Sequence, residues 1–127
     1  MPDKPMVVVI DDTDSVRKLL AADLAQDGRF RVEQAATGAE GLDLAADPQC
    51  AVVVLDMMLP DTDGLQFMDR LRLRRQNPPA IIAITGASEM LVPDSMIEGP
   101  YRGLVSAIFR KPVDRAKLRE TVAFCIA

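Results

Sequence analysis

Three aspartates stand where chemistry is easiest to build. Asp11 and Asp12 close the apolar run Val7-Val8-Val9-Ile10, and Asp56 closes Val52-Val53-Val54-Leu55. Short β-branched runs of this kind suit strands buried on both faces. If the two strands lie side by side, three carboxylates meet at one sheet edge. Each pair then repels by about 4 kcal/mol at ~4 Å and an effective dielectric of ~20. A cation or a proton must relieve such a cluster. Mg²⁺ fits the donor type, since it prefers oxygen and keeps several waters, so two carboxylates, a carbonyl and solvent make a site. A carboxylate can also attack phosphorus to give an aspartyl-phosphate. Catalysis of that transfer is mostly placement and electrostatics. Asp56, central between the paired acids and two further donors, is the best nucleophile. Those donors are Thr85, whose hydroxyl can reach a phosphoryl oxygen, and Lys111, which can pair with another.

The elements that must position these groups alternate along the chain. After the first strand, Ser15 to Asp27 reads as a helix with Val16, Leu19, Leu20 and Leu24 inward and Gly28 as its stop. Phe30 to Ala35 is a second strand. Thr37-Gly38-Ala39-Glu40 matches a capping box and opens a short helix that Pro48 ends. Ala51 to Leu55 is the third strand. The Pro60-Asp61-Thr62-Asp63-Gly64 turn leads into a helix from Leu65 to Arg75, with Leu65, Met68 and Leu71 inward. Ala80 to Ile84 and Ala107 to Arg110 are the fourth and fifth strands. Asp114 caps a final helix whose inner face is Leu118, Val122, Cys125 and Ile126.

Between Gly86 and Ser106 the breakers Pro93, Gly99, Pro100 and Gly103 predict short, shifted helical pieces rather than a regular fourth helix. Such alternation implies a parallel sheet with helices on both faces. In an open sheet of this type ligands bind at the carboxyl ends of the strands. Asp11, Asp12, Asp56, Thr85 and Lys111 all fall at that edge.

Bulk properties narrow the function. The 127 residues fit one domain, 1–127, with no linker or repeat. A net charge of −4 disfavours binding to nucleic acid or to an anionic membrane. No apolar run approaches the ~18–20 residues of a membrane span. The run Met6 to Ile10, followed by two acids, does not read as a signal peptide, so a cytoplasmic location is expected. Cys50 and Cys125, in apolar contexts, read as buried free thiols. Histidine is absent, which removes triads built on Ser-His or Cys-His, the commonest zinc ligand and any phosphohistidine step on this chain.

Blander readings exist for each feature. Asp12 or Asp14 can cap the first helix. Thr85 alone is a strand-end hydroxyl, and Lys111 alone a surface lysine. Arg70, Arg72, Arg74 and Arg75 read as a solvated face before a docking patch. Met57 and Met58 can be core residues, but both directly follow Asp56 and read as exposed, with Met58 at the pocket mouth. Tyr101 has no assigned role.

Taken together and in order, five stretches resemble the receiver domain of response regulators, the phosphoacceptor domain of two-component systems. They are Ile10-Asp11-Asp12, Val54-Leu55-Asp56, Leu59-Pro60-Asp61-Thr62-Asp63-Gly64, Ile84-Thr85-Gly86-Ala87 and Arg110-Lys111-Pro112. The likeness runs from about Lys4 to the C-terminus. It implies a flavodoxin-like doubly wound fold with five parallel strands in the order 2-1-3-4-5. It also implies that Asp56 is the phosphoacceptor, and that Mg²⁺ is held by Asp12, Asp56 and the Met58 carbonyl, with Asp11 acting through water. Thr85 and Lys111 take the family's switch and phosphate-binding positions, and the Lys111-Pro112 bond is expected to be cis. The family's aromatic switch position is occupied here by Ile108, with Phe109 pointing to the opposite face. Gly86 opens space beside the acceptor.

The resemblance implies a signalling protein rather than an enzyme, although one that catalyses its own phosphorylation and dephosphorylation. Its partners would be a histidine kinase or histidine phosphotransfer protein and a downstream protein target. The alternatives are a non-switching interaction module, a phosphate sink, and a receiver excised from a larger kinase or transcription factor. An aspartyl-phosphate hydrolase needs a second acid two residues after the nucleophile, and that residue is Met58.

Overall fold

The computed structural model describes residues 4–86, 99, 101 and 103–126. Among them the chain forms β1 (Met6–Ile10), α1 (Asp14–Ala25), β2 (Arg31–Ala35), α2 (Gly38–Ala45), β3 (Cys50–Asp56), α3 (Gly64–Arg74), β4 (Ala80–Thr85), β5 (Val105–Arg110) and α4 (Arg115–Ile126). The strands make one sheet in the order β2-β1-β3-β4-β5, and every pair is parallel. This is the expected order. The irregular helical segment expected before β5 falls mostly on residues outside the described set.

Continuous apolar strands become two cores because side chains alternate across a sheet. Val8, Ile10, Val53, Leu55, Ile81 and Ala83 face α2 and α3, where Phe67, Met68 and Leu71 are fully buried. Val7, Val9, Val52, Val54, Ile82 and Ile84 face α1 and α4, where Leu20, Leu24, Leu118 and Val122 meet them. Each such side chain contributes about 1.5–3 kcal/mol by leaving water. The central strands therefore hold their carboxyl ends firmly in register.

Helix ends follow their capping residues. Thr37 Oγ1 accepts the Glu40 N–H at 3.2 Å, Asp63 Oδ1 accepts that of Gln66 at 2.8 Å, and Asp114 Oδ1 accepts that of Lys117 at 3.1 Å. Helix α1 differs from its sequence pattern. It stops at Ala25, and the Gln26 and Asp27 N–H groups bond back to Asp23 and Leu24. Gly28 lies beyond this end without left-handed geometry, which among the described glycines belongs to Gly103, at φ 87°.

One inward assignment also needs correction. Leu19 is 49% exposed, and Arg17 lies buried instead. At 100° per residue the stripe made by Val16, Leu20, Ala21 and Leu24 runs through position 17 and leaves position 19 roughly 130° away. In α3 the inward Leu65, Met68 and Leu71 are joined by Phe67, with Leu65 half-buried against the same core. Met57 is a second correction. It is 7% exposed and packs into the α2/α3 core, so tightly against Gly64 that a side chain there would strike its sulfur.

Candidate functional site

Strand register assembles the site. Ile10 pairs with Leu55 and Asp56 with Ile84, so Asp11 and Asp56 each lie one residue beyond the Ile10–Leu55 pair, side by side at the ends of adjacent strands. Thr85 pairs with Arg110, and its carbonyl accepts the Lys111 N–H at 2.8 Å. The five polar residues marked by the sequence thus share the carboxyl edge of the sheet. The Lys111-Pro112 bond that follows is cis, as expected.

Within this edge the acids are close. Carboxylate oxygens of Asp11, Asp12 and Asp56 lie within 4.8 Å of one another. Asp11 and Asp56 are buried and Asp12 is exposed. One Asp56 oxygen accepts the Met58 N–H at 3.0 Å, and the other accepts from Lys111 Nζ at 3.1 Å. Lys111 Nζ also stands 3.9 Å from Asp11 Oδ2. Burial pushes the Asp11 carboxyl above its ordinary range, and the charges of Asp56 and Asp12 add to this. The Thr13 N–H and the Lys111 charge oppose it. For Lys111 burial acts downward, but the hydrogen bond and charge of Asp56, with Asp11 and Asp12, outweigh it and raise the ammonium.

Among the described residues, two buried oxygens here find no hydrogen-bond partner, Asp11 Oδ2 and Thr85 Oγ1. Buried polar atoms are normally paired, and leaving one unpaired costs about 1–3 kcal/mol. A cluster of carboxylates with an orphaned oxygen fits a hard divalent cation. An orphaned hydroxyl at the next strand end fits a second oxygen-rich ligand.

The loop after Asp56 is fixed by groups whose role the sequence did not disclose. Asp61 receives the Gly38 and Ala39 N–H groups at 2.9 and 3.0 Å, so the β3–α3 loop caps the start of α2. These bonds, the Gly38 one foremost, hold the Asp61 carboxyl below its ordinary range. Gly38 is required, because a Cβ would strike Thr62 Cγ2. Leu59 N–H bonds to Thr62 O, and Met58 pairs with Asp63 in an isolated bridge. The Met58 side chain is 60% exposed at the mouth. Arg17 was also missed. Its helical angle was the available signal.

The arginine cluster lies elsewhere and is mostly committed. Arg75 donates to the Ala45 and Cys50 carbonyls, each at 3.0 Å, Arg74 pairs with Asp43 at 2.9 Å, and Arg72 lies over the Tyr101 ring. Tyr101 itself donates to Asp69 at 2.8 Å. Ile108 packs toward the α2/α3 core and Phe109 toward the other, so the two do face opposite ways. An apolar groove of about 570 Å³ borders the site, lined by Val16, Leu19, Leu20, Gly86, Pro112 and Val113 beside Lys111. No helix among the described residues is long and apolar enough to cross a membrane.

Comparison with known proteins agrees with this geometry. The transcriptional regulatory protein SrrA of Staphylococcus aureus (strain NCTC 8325 / PS 47) is 36% identical over 83 residues, 65% of this chain and 33% of SrrA. The matched stretch therefore spans about a third of that relative. The REC domain of AraT, a response regulator from Geobacillus stearothermophilus, superposes with a TM-score of 0.77 at 29% identity, covering 94% of this chain and 91% of that one. A response regulator receiver domain protein from Clostridium thermocellum gives a TM-score of 0.79 at 24% identity, over 96% and 94%, which speaks for the fold. The family model for the response regulator receiver domain matches residues 7–123, from β1 into the last helix. Since that span contains the three aspartates, the threonine, the lysine and the strands that align them, this chain belongs to the response regulator receiver domain family.

Proposed function

We propose that the chain is a phosphoacceptor signalling protein of a two-component phosphorelay, taking a phosphoryl group from a phosphohistidine onto Asp56. The observation that carries this reading is the state of Asp56. It is a buried carboxylate, oriented through one oxygen by the Met58 N–H and through the other by Lys111, beside two further acids. In the transfer an Asp56 oxygen forms the new bond to phosphorus. The bond from phosphorus to the donor imidazole breaks, and its electron pair leaves with the histidine nitrogen. Lys111 and the Thr85 hydroxyl are the donors for phosphoryl oxygens, and Thr85 enters the step with no prior partner among the described residues. Asp11, Asp12, Asp56 and the Met58 carbonyl would hold Mg²⁺. When bound, that cation supplies neutralisation of the charge that gathers on the phosphoryl oxygens.

The donor is a histidine kinase or histidine phosphotransfer protein, and the apolar groove beside Lys111 is the surface it would cover. A downstream protein target reads the phosphorylated form. The chain is not an enzyme of steady turnover, although it catalyses its own phosphorylation and dephosphorylation. Acetyl phosphate with Mg²⁺ should add one phosphate by intact mass, and Asp56→Ala should add none. Wild type behaving like that variant would overturn the reading.

One observation favours a second reading, that of a non-switching module or phosphate sink. Ile108, in the family's aromatic position, is packed against the α2/α3 core. Two-dimensional NMR with beryllofluoride separates the two. Shifts confined to the pocket favour the module, and shifts spreading into β4 and β5 favour the switch.

A further inference from the structure

The side chain that secures the paired acids is a cation on the other side of their backbone. Arg17 is 8% exposed on the inner face of α1, an unusual place for a guanidinium. Burying that charge is costly unless its donors are matched. They are matched on three elements. Its Nη1 donates to the Asp11 carbonyl at 3.0 Å, its Nε to Gln34 Oε1 on β2 at 3.2 Å, and its Nη2 pairs with Asp14 at 2.7 Å. Asp14 is exposed, so that pair adds little.

The first bond is the informative one. The Asp11 carbonyl belongs to the peptide that joins Asp11 to Asp12, so the guanidinium fixes the plane from which both acids project. A second tie acts on the same loop, since Asp11 Oδ1 accepts the Thr13 N–H at 2.8 Å. The Thr13 carbonyl in turn accepts the Arg17 N–H at 2.9 Å, closing the loop onto the first turn of α1. Rotation of the Asp11–Asp12 peptide would turn the Asp12 carboxylate away from Asp56. Arg17 opposes that rotation, and Gln34 holds Arg17 in the plane from which it can do so.

We infer that Arg17, oriented by Gln34, is a positioning residue for the cation site: it presets the Asp11–Asp12 peptide so that both carboxylates address Asp56. The inference rests on the reading of Asp11, Asp12 and Asp56 as a Mg²⁺ site. Groups that orient ligands from behind typically contribute tenfold or more to metal affinity.

The test is Mg²⁺ titration by calorimetry of the intact chain, paired with thermal melting. Variants are Arg17→Met, Arg17→Lys and Gln34→Ala. Arg17→Met should weaken Mg²⁺ binding roughly tenfold. Arg17→Lys should recover part of the loss, because an ammonium reaches the carbonyl without the fork that Gln34 steers. Gln34→Ala, at an exposed strand edge, should weaken binding less than Arg17→Met does, at an unchanged melting temperature. A packing role alone predicts the opposite pattern, a lower melting temperature with wild-type Mg²⁺ affinity in the folded molecules. That pattern overturns the inference. If Arg17→Met does not fold, wild-type affinity in both remaining variants overturns it equally. Failure of wild type itself to bind Mg²⁺ is a separate result and removes the cation site on which the inference stands.

Discussion

Lys111 Nζ lies 3.1 Å from Asp56 Oδ2 and, at 3.9 Å, also reaches Asp11, so one cation from the end of β5 serves acids on two other strands. The pairing sets a pH dependence whose sign is fixed. Its ammonium is raised in the folded chain, so its contribution to stability is fully present below the unfolded value of about 10.4 and is lost as pH climbs through the folded one. Lys111→Met should therefore melt below wild type at pH 7. The difference should narrow above about pH 10.4, followed by circular dichroism.

Asp11 has the opposite balance. Its carboxyl is raised chiefly by burial, so the folded chain holds that proton longer than the unfolded chain does. Stability is lost as pH rises through this raised value and stays lost at neutrality. Asp11→Asn should raise the melting temperature at pH 7 without Mg²⁺ by a few degrees, equivalent to about 1 kcal/mol. Added Mg²⁺ should stabilise wild type and not this variant, a contrast readable in the same melts.

Asp61 should act through α2. Its alanine variant leaves the Gly38 and Ala39 N–H groups without their cap, at a cost of about 1 kcal/mol. Because the carboxyl is lowered, the contribution is present above its unfolded range and disappears as pH falls through the folded value. Urea unfolding should show the gap between wild type and Asp61→Ala at pH 7 and its loss at low pH.

The thiols should separate cleanly. Burial pushes Cys50 up to about 12, while Cys125 is raised less and is half-buried. A disulfide reagent at pH 8 should modify Cys125 in the native chain, slowly, and both residues in denaturant. Cys125→Ser should abolish native labelling. Rapid reaction of two thiols in the folded protein would contradict the buried position of Cys50.

The sheet and its carboxyl-edge residues were legible because both depend on local pattern. Val7 to Ile10 and Val52 to Leu55 could be little other than central strands, and each hands its following acid to the same edge. Asp56 and Thr85 are themselves the last residues of their strands, a boundary shift of one that changes nothing chemically. What stayed hidden depends on side chains that cross between elements. Arg17 reads as polar in a helix, yet its angle places it inside, where the Asp11 carbonyl and Gln34 complete it. Asp61 reads as part of a turn, and only the fold brings α2 to it. Met57 looked exposed through its place next to Met58, but alternation past the strand end turns it into the core.

The Asp61 staple has a mechanical consequence. It welds the loop carrying Met58 to the first turn of α2, and the Asp63 cap welds the same loop to α3. One wall of the pocket is thus an abutment. Under the proposed phosphorylation, force generated by new charge on Asp56 would meet stiff backing on that side. Across the pocket stands the Thr85 hydroxyl, which accepts and donates no hydrogen bond among the described residues. On that reading the direction of recoil would be built in before any phosphate arrives.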